Sequence, residues 1–151
     1  MRLGWTCADF LTPTMTIYER PSVLLVEDDD ATREMFDYAL RMAGFAVTAV
    51  RDGLAALRSI EQQCPDVVVL DLDLPHVSGM DVHQEIVSHA ETCRIPIIVV
   101  TGTNWQTPTE VFRTLRKPIG SDVLVTTIEQ ALKRANDHAP GDDTHWRARH
   151  R

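Results

Sequence analysis

Long hydrophobic runs are missing from this chain: no stretch approaches the roughly eighteen consecutive apolar residues that a membrane span requires. The opening segment, Met1 to Tyr18, is broken by Asp9 and Pro13 and lacks the apolar core of a signal peptide, so a cytoplasmic location is expected. Cysteine is scarce. Cys7, Cys64 and Cys93 are odd in number and form no CxxC, which argues against a disulfide framework or a zinc site and leaves reduced, packing thiols. Basic charge is short as well, with 15 Lys and Arg against 22 Asp and Glu and a net charge of −7. A nucleic-acid-binding face needs the opposite balance, so direct DNA binding is not expected.

What the chain does have is 44% hydrophobic residues over 151 positions, enough for one self-supporting core. Residues 1–20 show no clear period and read as an N-terminal extension, within which Met15 is an alternative start. From Ser22 the pattern changes. Continuous apolar runs at 23–26, 67–70 and 97–100 alternate with stretches of helical period, and a weaker strand signal spans Phe45 to Val50. Continuous runs mean strands buried on both faces, as in a parallel sheet.

Phe36, Ala39, Leu40 and Ala43 fall at helical spacing and Gly44 sits where a left-handed cap is wanted, giving a first helix. Asp29 and Asp30 supply its cap and first-turn charge. Leu54, Leu57 and Ile60 after Asp52-Gly53 give a second helix, and Val82, Ile86 and Ala90 a third. Leu124, Thr127, Ile128, Ala131, Leu132 and Ala135 mark a last helix, expected to pack beside the first and to end near Asp137. Residues 138–151 are polar and read as a solvated tail. Strand and helix in alternation, with right-handed crossovers, predict an α/β domain over 21–137. Its sheet is doubly wound, five-stranded and parallel, in the flavodoxin-like order 2-1-3-4-5. Such sheets bind ligands at the carboxyl ends of strands 1 and 3.

Those two strands end in carboxylates: Glu27 and Asp28 follow Val23-Leu24-Leu25-Val26, and Asp71 follows Val67-Val68-Val69-Leu70. Carboxylates gathered in one crevice repel unless a cation or proton intervenes, so the pattern predicts a hard divalent metal, Mg²⁺, beside a reactive aspartate. Thr101 closes the run Ile97 to Val100, and Lys117-Pro118 follows Val111 to Leu115, adding a hydroxyl and an ammonium at the same edge. This set suits phosphoryl transfer. Asp71 is the nucleophile that would form an aspartyl-phosphate. Asp28, Asp71 and the Asp73 carbonyl are candidate metal ligands, with Glu27 acting through water, while Lys117 and Thr101 meet phosphoryl oxygens.

Over about residues 21–137 the sequence resembles the receiver domain of two-component response regulators. The resemblance is carried by Val23 to Asp28, by Asp71-Leu72-Asp73-Leu74-Pro75 with Ser78-Gly79, by Thr101, and by Lys117-Pro118. It implies a non-enzymatic switch phosphorylated on Asp71 by a sensor histidine kinase or phosphotransfer protein, Mg²⁺ dependence, and a cis peptide bond before Pro118. The fourteen residues after Asp137 are too few for a helix-turn-helix output domain, so a single-domain receiver acting on a protein partner is expected, with homodimerisation left open.

Two departures from the receiver pattern stand out. Sixteen positions separate Thr101 from Lys117, about five or six fewer than in most receivers, or roughly one and a half helical turns. The helix between the fourth and fifth strands is therefore expected to be short or absent. Thr107-Pro108-Thr109-Glu110 has the form of a capping box, which allows a single turn at most, with Trp105 partly exposed. In place of the aromatic that receivers usually carry three positions before the lysine stands Thr114.

Other readings compete. Asp71-Leu72-Asp73 imitates the motif of haloacid-dehalogenase-type phosphohydrolases, but that family places it on its first strand and wants a small hydroxyl residue where this chain has Pro75. A receiver-like adaptor working without phosphorylation is the other alternative, favoured by Thr114 and disfavoured by the complete acidic set. His83 and His89 read as surface or boundary residues of the third helix, and His138, His145 and His150 have no ligand spacing.

Overall fold

Apolar runs become strands in this protein because both faces of the sheet are covered, so every residue of a run is buried. The computed structural model describes residues 19–137 apart from 90, 91, 93, 103 and 105. Its elements are β1 (Ser22–Val26), α1 (Asp30–Met42), β2 (Ala46–Val50), α2 (Gly53–Gln62), β3 (Val67–Leu70), α3 (Gly79–Ser88), β4 (Ile97–Thr101), β5 (Arg113–Arg116) and α4 (Ser121–Asp137). All strand pairs are parallel and the order is β2-β1-β3-β4-β5, as expected. Trp105, Ala90, Cys7, Cys93, Met15, the three C-terminal histidines and the tail lie outside the described residues.

Side chains alternate across the sheet, so one run serves two cores. Val23, Leu25, Val69 and Ile98 meet Phe36 and Leu40 of α1 and Leu124 and Ile128 of α4. Leu24, Val26, Val68 and Val99 meet Ala56 of α2 and Val82 and Ile86 of α3. Each buried Val or Leu contributes about 1.5–3 kcal/mol by leaving water. No described helix is long and apolar enough to cross a membrane.

The helix ends follow their local chemistry. The Asp29 side chain accepts from Thr32 N–H at 2.8 Å and caps α1, as expected. At the other end Gly44 takes φ +96°, letting its N–H reach Arg41 C=O and the Phe45 N–H reach Leu40 C=O, so two of the last carbonyls of α1 are satisfied. Asp52 caps α2, and Ser78 with Asp81 forms a reciprocal box at the start of α3.

Three expectations need correction. Leu54 is 49% exposed rather than inward, because α2 approaches the core through its smallest residues, Gly53 and Ala56, turning position 54 outward. Likewise Ala135 is exposed at the end of the α4 stripe. His83 is buried rather than at the surface: its Nε2 meets Glu110 C=O at 3.0 Å, a partner 27 residues away that no local pattern reveals.

The connection between β4 and β5 holds no helix among the described residues, in line with the expectation of a short or absent one, and the capping box at Thr107 to Glu110 is not used. The backbone there is already committed elsewhere. Phe112 N–H donates to Ile97 C=O at 2.8 Å, extending the ladder ahead of β5, and Glu110 C=O is taken by His83. Pro108 is buried and Val111 packs on the second core.

Candidate functional site

Strand register assembles the site. Val26 pairs with Leu70 and Leu70 with Val99, so Glu27 and Asp71 leave adjacent strands at one level and Thr101 stands close by on the next. Thr101 pairs with Arg116, which brings Lys117 to the same edge. Backbone bonds continue the ladder past the strand ends: Asp71 N–H donates to Val26 C=O at 3.0 Å and Lys117 N–H to Thr101 C=O at 3.0 Å. The peptide bond between Lys117 and Pro118 is cis.

The side chains then interlock. Lys117 Nζ donates to Glu27 Oε2 at 2.6 Å and to Asp71 Oδ2 at 2.8 Å. Each carboxylate has its other oxygen held by backbone, Asp71 Oδ1 by Asp73 N–H at 2.9 Å and Glu27 Oε1 by Asp29 N–H at 3.2 Å. Glu27, Asp71 and Thr101 are buried, whereas Asp28 and Asp73 open to solvent. Gly79 explains how α3 comes so near: a Cβ there would lie 2.2 Å from the Asp71 carbonyl oxygen, so only glycine admits the helix start against the Asp71 loop.

Burial raises the Glu27 carboxyl above its ordinary range and the charge of Asp71 pushes the same way, while one ammonium shared between two carboxylates offsets this only in part. Burial alone would lower Lys117, but its bonds to Asp71 and Glu27 outweigh that, and its affinity for the proton rises. The site holds its lysine charged. One ligand oxygen each from Glu27, Asp28 and Asp71 lies within 4.8 Å of the others. An all-oxygen, strongly anionic set of this kind fits a hard divalent cation that keeps some of its own waters.

All six candidate residues thus come to one edge of the sheet, with Asp29 turned away as the α1 cap. One neighbour went unnoticed in the sequence. Arg33 Nη1 donates to Glu27 C=O at 3.0 Å and lies 3.4 Å from Asp28 C=O. Its three-residue spacing from Asp30, to which it also pairs, was the available signal.

The family model for the response regulator receiver domain matches residues 23–129. The chain belongs to the response regulator receiver family. Over 130 residues it is 35% identical to the sensory transduction protein RegX3 of Mycolicibacterium smegmatis, an alignment covering 81% of this chain and 56% of that protein. The receiver thus spans about half the length of the curated relatives it matches. Among solved structures, a response regulator receiver domain protein from Clostridium thermocellum superposes with a TM-score of 0.72 at 25% identity, covering 79% of this chain and 99% of that one. The receiver domain of sensor histidine kinase PA1611 from Pseudomonas aeruginosa, with a magnesium ion coordinated in its active site cleft, gives 0.69 at 30% identity, covering 76% and 98%. This receiver is a module of two-component phosphorelay signalling.

Proposed function

We propose that this receiver accepts a phosphoryl group on Asp71 from a histidine kinase or phosphotransfer protein and, so modified, switches a protein partner in the cytoplasm. The observation that carries the reading is the single ammonium of Lys117 bridging Asp71 and Glu27 beside the open carboxylate of Asp28. In transfer, an Asp71 oxygen bonds to phosphorus as the donor's P–N bond breaks, and the departing imidazole takes up a proton. Lys117 is near enough to follow the charge from the Asp71 carboxylate to a phosphoryl oxygen, and the Thr101 hydroxyl bonds another. Mg²⁺ held by Asp28, Asp71 and the Asp73 carbonyl, with Glu27 acting through water, would offset the negative charge on the transferred group. The acidic balance of the chain supports output through protein contact rather than DNA.

Labelling with acetyl phosphate tests this directly. Wild type should be labelled in Mg²⁺ and not in EDTA, and Asp71→Asn in neither; label persisting on Asp71→Asn refutes the assignment. Thr114, half-buried where receivers usually carry an aromatic, favours a second reading as a phosphorylation-independent adaptor. Partner binding unchanged by Asp71→Asn would select that reading.

A further inference from the structure

The turn between β1 and α1 supplies two of the three clustered carboxylates, and something must hold them toward Asp71 against their mutual repulsion. Lys117 ties Glu27 and Asp71, but none of the described hydrogen bonds reaches the Asp28 carboxylate. The place of Asp28 therefore rests on its backbone. There the guanidinium of Arg33 folds back from the first turn of α1, one arm toward the Glu27 and Asp28 carbonyls and the other on Asp30 Oδ1. Arg51, just past β2, donates to that same Asp30 oxygen at 2.8 Å, so the outer arm is itself anchored.

A cation in the first turn of a helix stands at the positive end of its dipole, which offsets what its i,i+3 pairing with Asp30 adds to the helix. The Arg33 side chain is only 17% exposed, against 63% for Arg51, which marks the first as a fixed strut and the second as a peripheral brace. Asp30 is shared with Arg51 and so offsets only part of the Arg33 charge; what a guanidinium adds over a plain cation is geometry. A planar fork spans a carbonyl pair and a carboxylate at once; an ammonium on a flexible stem cannot.

We propose that Arg33 is a positioning residue for the metal site, gripping the Glu27 and Asp28 carbonyls from behind so that both carboxylates stay turned toward Asp71. The proposal rests on the reading of Glu27, Asp28 and Asp71 as a Mg²⁺ site. It is tested with the whole chain by calorimetric titration with Mg²⁺, paired with urea unfolding in EDTA. Wild type should bind, Arg33→Lys should bind about tenfold more weakly, as for other outer partners of metal sites, and Arg51→Ala should stay within about twofold of wild type by the peripheral role of an exposed pair. Arg33→Ala should lose at least as much as Arg33→Lys, which keeps charge and stem and decides the matter should the alanine variant fail to fold. A purely structural role would lower the urea midpoint in EDTA and leave the affinity of folded Arg33→Lys within twofold of wild type; that result overturns the proposal. A wild type that takes up no Mg²⁺ overturns instead the site reading beneath it.

Discussion

Replacing Asp28 by Asn should stabilise the metal-free protein and destabilise it, relative to wild type, once Mg²⁺ is present. One carboxylate oxygen each from Glu27, Asp28 and Asp71 lies within 4.8 Å of the others. Two unit charges at that distance repel by about 0.9 kcal/mol in water and about 3.5 kcal/mol at an effective dielectric of 20. Asp28 is exposed, which favours the lower figure, and Lys117 cancels roughly one of the two charges it faces. The net relief on removing its charge is therefore about 1 kcal/mol. With a urea slope of about 1.5 kcal/mol/M for a domain of this size, the midpoint in EDTA should rise by about 0.7 M. Mg²⁺ at twenty times its Kd should then add about 1.8 kcal/mol to wild type and much less to the variant, so the order of the two curves reverses. Asp29→Asn, whose side chain caps α1, should leave the Mg²⁺ increment intact. The reasoning fails if Asp28→Asn is the less stable protein in EDTA, or if both proteins gain equally from Mg²⁺.

The raised Glu27 carboxyl predicts a pH signature. Between about 4.5, its ordinary value, and its raised value in the folded chain, the native state binds more protons than the unfolded state, so metal-free stability should fall as pH rises through that window. Glu27→Gln should flatten this slope in EDTA, and an unchanged slope would show that another group causes it. Gly79→Ala should cost about 3 kcal/mol or more, since the new Cβ would stand 2.2 Å from the Asp71 carbonyl oxygen and the start of α3 must retreat. A thermal unfolding midpoint within a degree or two of wild type would show that the loop yields freely.

Much of this was legible in the sequence for a definite reason. The runs at 23–26, 67–70 and 97–100 could only be doubly buried strands, and a polar residue following such a run is delivered to the sheet edge whatever the rest does. Glu27, Asp71 and Thr101 were therefore found from position alone, and Lys117 from the weaker run before it. What stayed hidden depended on contacts between distant segments. His83 has the spacing of a helix-surface residue, and only the passage of Glu110 across α3 makes it interior. Leu54 matched a helical stripe, but two smaller neighbours allowed a closer approach on an adjacent face. The box at Thr107 to Glu110 was expected to give a single turn at most, and the Phe112 ladder bond to Ile97 leaves no room for even that. Arg33 acts on carbonyls, which carry no side-chain code at all.

The short crossing from β4 to β5 has a consequence for selectivity rather than stability. Trimming a loop by a third changes its closure entropy by only a few tenths of a kcal/mol, about half of what halving it would do. A protein that reads other receivers through the helix in this place finds no such helix among the described residues, only a buried proline and a carbonyl turned inward to His83. In a cell with several receivers, that amounts to insulation. Partners that depend on the helix are refused by subtraction, and a cognate partner must recognise this receiver by what has closed over the gap.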